Sequence, residues 1–135
     1  MNTVIDYIKL GVAFIGGAVT LLFQNATPLL TVLMIIVAVD YVTGVMKACI
    51  YKELSSATGF KGLFKKFMIL VVVSIGALID VYVVKTTGVL TGACCAFYIV
   101  NETVSIIENA ASIGLPIPKK LTDILEQLQE EDNNE

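Results

Sequence analysis

Residues Leu29–Lys66 constrain this chain more than any other stretch. Leu29–Val39 is an unbroken run without charge, closed by Asp40, and Tyr41–Cys49 carries the same helical character onward. A helix needs about 20 residues to cross a hydrocarbon core of about 30 Å, and Leu29–Cys49 meets that length. The segment then runs into a lysine-rich link, Ile50–Lys66, from which a second apolar run, Phe67–Val84, departs. Two membrane-length helices joined by a basic link leave few alternatives to a multi-pass membrane protein.

The rest of the chain agrees. Its 135 residues are 56% hydrophobic, with a mean hydropathy of +0.83, and a water-soluble domain this small has too little interior to hide so much apolar surface. All nine basic residues are lysines, and six of the twelve acids fall in Asp123–Glu135, so the net charge of −3 describes a tail. No basic patch interleaved with aromatics points to nucleic acid. Cys49, Cys94 and Cys95 make no disulfide framework and read as small hydrophobes.

Taken in order, Val4–Phe23 reads as a retained first membrane helix, since the small-residue cleavage site of a secretory signal is weak and further apolar segments follow. Ala13, Gly16, Gly17 and Thr20 line one face of it and would allow close helix packing; ordinary glycine usage in membrane helices explains them equally well. The short link Gln24–Thr27 implies an antiparallel hairpin, and Pro28 suits the first turn of the next helix. Lys47, Lys52, Lys61, Lys65 and Lys66 hold five of the nine lysines. By the positive-inside bias their link is cytoplasmic, with Lys52, Lys61, Lys65 and Lys66 at the membrane surface. Phe60, Leu63, Phe64 and Phe67 recur at helical spacing, as a short interfacial helix or as the start of the next span.

Phe67–Val84 forms the third segment, with Asp80 its one charge, and Lys85–Gly88 turns the chain. Val89–Ile113 reads as one long helix, apolar first and amphipathic afterwards, stopped by Gly114 and the prolines of Gly114–Pro118. Lys119–Glu135 places Leu121, Ile124, Leu125 and Leu128 at helical spacing among acids and forms a short amphipathic helix with an acidic end. The expected fold is all-α: four membrane helices in residues 1–118, then a cytoplasmic amphipathic tail in 119–135, both termini inside. A three-crossing version, with the first or fourth segment on the membrane surface, stays open.

Acids within these helices are the candidate functional residues. A charged Asp at the centre of a lipid-embedded helix costs about 2.5–3.5 kcal/mol on insertion scales. Asp40 and Asp80 therefore need protein, water or a counter-charge. Thr43, Gly44 and Lys47 share a helical face with Asp40. Asn101, Ser105, Glu108 and Ser112 form a second polar stripe, bordered by Glu102 and Asn109. Either Asp40 is satisfied locally by Lys47 or Thr43 and Asp80 by the headgroups, or these groups line an assembly or a lumen. A lone copy of four short helices offers little interior, so the second reading requires a homo-oligomer. Enzyme chemistry finds no support: there is no histidine base, no nucleophile with a base at recognisable spacing, no phosphate-cradling loop and no metal-ligand spacing, so neither cofactor nor metal is expected.

These residues together resemble the phage lysis and toxin-secretion holin family. The similarity begins at Asp40-Tyr-Val-Thr-Gly-Val-Met-Lys-Ala48 and continues through Ser55, Ser56, Gly59, Phe60, Gly62, Leu63, Lys65 and Lys66. It takes in Asp80, then Tyr98-Ile-Val-Asn-Glu102, Ser105-Ile-Ile-Glu-Asn109, Gly114-Leu-Pro-Ile-Pro118 and Leu121. The resemblance implies a protein that accumulates in the bacterial cytoplasmic membrane, oligomerises and opens a lesion, through which an endolysin or a toxin passes as cargo. From a different class, a small ion channel or transporter subunit would use Asp40 and Asp80 as cation sites. A scaffold would instead recruit a soluble partner through the acidic tail.

Overall fold

The computed structural model describes residues 2–11, 13 and 27–134. Residues 2–11 are helical and exposed. Gly16, Gly17 and Thr20 lie outside the described residues, as does most of the expected first span; of the proposed packing face only Ala13 is described, and it is exposed.

Four helices follow: α1 (Pro28–Ile50), α2 (Ser56–Ile79, prolonged by a π-helical turn at Asp80–Val84), α3 (Val89–Ile113) and α4 (Lys119–Asn134). No strand occurs among the described residues. Three of the described helices, Pro28–Ile50, Ser56–Val84 and Val89–Ile113, are long and apolar enough to cross a membrane, against the four expected from the sequence. The fourth expectation falls on the segment outside the described residues.

Local chemistry sets the ends. Thr27 caps α1, its hydroxyl oxygen accepting from the Leu30 amide, with Pro28 in the first turn, where a missing N–H costs nothing. Ser55 caps α2 by accepting from the Thr58 amide at 3.2 Å. The stretch Phe60–Phe67 is thus not a separate interfacial helix but the second and third turns of a continuous α2. Gly88 and Gly114 bracket α3 with φ of 94° and 104°, a left-handed backbone that glycine adopts without a Cβ clash.

α3 is the central element. It carries α1 along most of its length, α2 on another side and α4 on a third, while α1 and α2 touch little. α1 and α3 run in the same direction and α2 runs against them. The end of α1, the start of α2 and the end of α3 therefore share one end of the bundle, where the Tyr51 hydroxyl donates to the Ser112 carbonyl. A small core of Leu30, Leu33, Val37, Ile69, Val73 and Cys95 binds the three helices. Outside it, Ile35, Val39, Val42, Met46 and Ile50 form an exposed apolar stripe down α1, and Phe60, Leu63, Phe64, Phe67 and Met68 do the same on α2. Bare apolar faces of that extent suit lipid rather than water.

Among the described glycines, Gly76 stands nearest a neighbouring helix: a Cβ there would lie 3.4 Å from Cys94 Sγ and 3.6 Å from the Leu90 backbone. Alanine makes ordinary contact there and leucine does not fit. Gly76→Leu is expected to cost about 1–3 kcal/mol by forcing α2 from α3, read as a lower thermal midpoint in detergent, with Gly76→Ala close to the parent chain.

Candidate functional site

Asp40, Lys66 and Glu102 lie 12, 10 and 13 residues in from the starts of α1, α2 and α3 at Pro28, Ser56 and Val89, so each sits well inside its helix. The three meet. Lys66 Nζ donates to Asp40 Oδ2 and to Glu102 Oε2. Asp40 is 6% and Glu102 5% exposed, so both carboxylates are withdrawn from the surface. Asn109 of α3 completes the layer, its side-chain amide donating to Asp40 Oδ1 at 3.3 Å and to Thr43 Oγ1 at 3.1 Å. The Thr43 hydroxyl in turn donates to the Asp40 carbonyl at 3.0 Å. Among the described residues no buried side-chain nitrogen or oxygen lacks a hydrogen-bond partner.

This arrangement corrects three expectations. The buried carboxylates of the polar layer do not need other copies: a lone chain shelters them, because α2 delivers an ammonium between α1 and α3. Lys66 is not a membrane-surface lysine but the counter-ion of the buried layer, its side chain 13% exposed. Lys47, one turn too far along α1, is half-buried and makes no ion pair among the described residues.

Asp80 is also displaced from its expected place. It stands at the opposite end of the bundle, 1% exposed, apart from Asp40. Its carboxylate accepts from the Leu90 and Thr91 amides at 3.0 and 2.8 Å and from the Thr86 and Thr91 hydroxyls at 2.8 and 2.7 Å. The first amides of a helix have no intrahelical acceptor, and a negative group there also meets the favourable end of the helix dipole. Asp80 is thus a clamp across the turn from α2 to α3.

The remaining candidates divide. Ser105 borders the layer and lines both clefts beside it; Gly44 faces Asn109, with room for a Cβ 3.8 Å from the Asn109 amide nitrogen. Asn101 lies on another side of α3, where its side-chain oxygen accepts from Gln129 of α4 at 3.1 Å. Glu108 is exposed, as are Lys52, Lys61 and Lys65. A cleft of about 240 Å³ opens between α1 and α2 beside Asp40, Tyr41, Lys66 and Asn109. A second, of about 510 Å³, opens on the far side beside Lys65, Glu102, Glu108 and Gln129. The carboxylates of the polar layer are withdrawn from the surface, and open space borders the layer on both flanks. No group of His, Cys, Asp and Glu among the described residues is arranged to hold a metal ion.

Sequence reasoning placed Asp40, Thr43, Glu102 and Asn109 on polar faces but missed what joins them. Thr86, Thr91 and Gln129 were also missed. Two threonines flanking a helix start, 6 and 11 residues after an acid, were the available signal for the Asp80 clamp.

Three membrane-length helices around a buried ion cluster define a small helical membrane protein. The comparisons with known proteins make the assignment narrower. The chain belongs to the bacteriophage holin family, whose sequence profile matches residues 17–130; this is a family of membrane proteins without enzymatic activity. A probable holin of Bacillus phage phi105 is 40% identical over 106 residues, 78% of this chain and 77% of its own length. An uncharacterized 14.9 kDa protein of Clostridium perfringens is 40% identical over 128 residues, 95% of this chain and 97% of its own. An uncharacterized protein of Halalkalibacterium halodurans is 36% identical over 126 residues, covering 90% and 93%. No solved structure matches the chain.

Proposed function

We propose that the chain accumulates in the bacterial cytoplasmic membrane, assembles with copies of itself and opens a lesion through which a cytosolic endolysin, or a toxin, leaves the cell. Family membership supports this reading. The single structural observation behind it is the polar layer Asp40–Lys66–Glu102 inside three apolar helices. The closed chain hides that layer. Assembly turns Asp40, Thr43, Gly44, Asn101, Ser105, Glu108 and Asn109 toward water, where separated charges are tolerated. Asp80 stays in place as the clamp of the α2–α3 hairpin. Residues 1–118 form the membrane unit, crossing through α1, α2 and α3, and 119–135 a cytoplasmic arm. The basic link and the C-terminus face the cytoplasm, with Lys52, Lys61 and Lys65 toward anionic headgroups.

A cation channel built on Asp40 fits less well, because that carboxylate is already held by Lys66 and Asn109. The deciding experiment is induced expression in bacteria that also hold a cytosolic endolysin. Abrupt loss of culture turbidity together with enzyme release is expected. Slow growth arrest with the enzyme retained would refute the lesion, and an ion-selective conductance abolished by Asp40→Asn would favour the channel.

A further inference from the structure

We infer that α4 is an exchangeable arm, and that the seat it occupies on α3 of its own chain is the surface by which a second copy is bound, α4 of each copy docking on α3 of the next. This inference rests on the self-assembly proposed above and specifies its contact.

The seat is complementary to α4 but shallow. Thr122, Leu125 and Gln129 turn toward the bundle and are half-buried, and among the described residues one side-chain hydrogen bond, Gln129 to Asn101, fastens the arm. Beside that face, about 100° around the helix, Leu121, Ile124 and Leu128 stay 43%, 45% and 40% exposed. A single bundle therefore covers the seat-facing side of α4 and leaves the adjacent apolar stripe bare. Wedged between two bundles, with its seat-facing side on the neighbour and the adjacent stripe toward its own copy, it is covered on both.

The hinge permits the exchange. Gly114–Pro118 folds back through the left-handed Gly114 and two turn bonds, Gly114 N–H to the Ala111 carbonyl and Leu115 N–H to the Ala110 carbonyl. Pro116 and Pro118 bias the residues before them, Leu115 and Ile117, toward extended backbone. Five extended residues reach about 17 Å, more than the roughly 8–10 Å between packed helices. Exchange replaces each contact within a chain by the same contact between chains, so it becomes favourable once copies are dense enough to offset the entropy of association. The contact is head-to-tail, and such contacts propagate until they close a ring.

The test uses full-length chains in isolated bacterial membranes, with Cys49→Ser, Cys94→Ala and Cys95→Ala as background. Chains carrying only Asn101→Cys and differently tagged chains carrying only Gln129→Cys are co-expressed and treated with a short bifunctional thiol crosslinker. A heterodimer that rises with expression level is expected, and the chain carrying both cysteines should give a ladder of multimers at high density. Crosslinking confined to single chains at every density would overturn the exchange. A second variant lacking Leu115, Pro116 and Ile117 keeps two linker residues, which reach about 7 Å and fall short of its own seat; it is expected to run as multimers even at low density, and a monomer would overturn the proposal. Lysis with crosslinks only within chains would sink the exchange and leave the lesion standing. Crosslinks between chains without lysis would do the reverse.

Discussion

Replacing Lys66 by methionine is expected to destabilise the chain by about 3–5 kcal/mol, the cost of stripping a buried ion pair of one partner. Two carboxylates would then share one apolar layer with only Asn109 to receive them. A loss of this size is two to three and a half powers of ten in the folded population at 1.4 kcal/mol per decade. Unfolding in detergent, or the level of intact protein in membranes, reads it. The neighbouring substitutions set the sign. The layer holds two acids and one ammonium, so Glu102→Gln leaves a matched Asp40–Lys66 pair and a side chain that still accepts a hydrogen bond; its cost is on the order of 1 kcal/mol. Combining Lys66→Met with Asp40→Asn and Glu102→Gln removes every charge and restores most of the loss, since neutral replacements for buried ions are often tolerated. A Lys66→Met chain as stable as the parent would show that the lysine is solvated and the layer is not closed.

That contrast explains what the sequence made legible. Periodicity assigns a residue to a face, and it set Asp40, Thr43, Glu102 and Asn109 apart from the apolar stripes. Punctuation assigns ends: Pro28 and Gly114 marked α1 and α3 to within a residue. Neither signal names a partner on another helix. Lys66 is 26 residues from Asp40 and 36 from Glu102, and in a lysine-rich link it looks like its surface neighbours Lys61 and Lys65. Its helical phase distinguishes it only once the axial position of α2 against α1 and α3 is known. The cap at Ser55 hid for a different reason. A helix that begins with Ser-x-x-Thr and continues through glycines and lysines resembles a loop until its later turns find packing, here Gly59 and Gly62 beneath the Tyr41 ring. The oligomer argument from buried charge also weakens: the structure satisfies these charges within one chain, so the self-assembly proposed above would have to draw on surfaces such as the α4 seat rather than on the carboxylates' need for shelter.

The second large effect belongs to Asp80. Asp80→Ala removes the acceptor for two first-turn amides of α3, Leu90 and Thr91, and for two threonine hydroxyls. The hydroxyls can rotate to other acceptors. The amides cannot, and each unsatisfied buried donor costs about 1–3 kcal/mol, so the hairpin should lose about 2–4 kcal/mol. The loss is local. Amide hydrogen exchange at Leu90 and Thr91 is expected to accelerate by roughly 30-fold or more, at 1.4 kcal/mol per decade, while the amides around Val73 and Cys95 in the core slow or quicken little. Asp80→Asn keeps one acceptor oxygen but turns an NH₂ group toward donors, so it should fall between the parent and the alanine variant. This ordering separates the clamp from a lumen role. A pore-lining carboxylate would tolerate asparagine structurally and change conductance, whereas a clamp changes exchange at the α3 start in any state of assembly. Unchanged protection at Leu90 and Thr91 in Asp80→Ala would remove the clamp and return Asp80 to the candidates for the lumen.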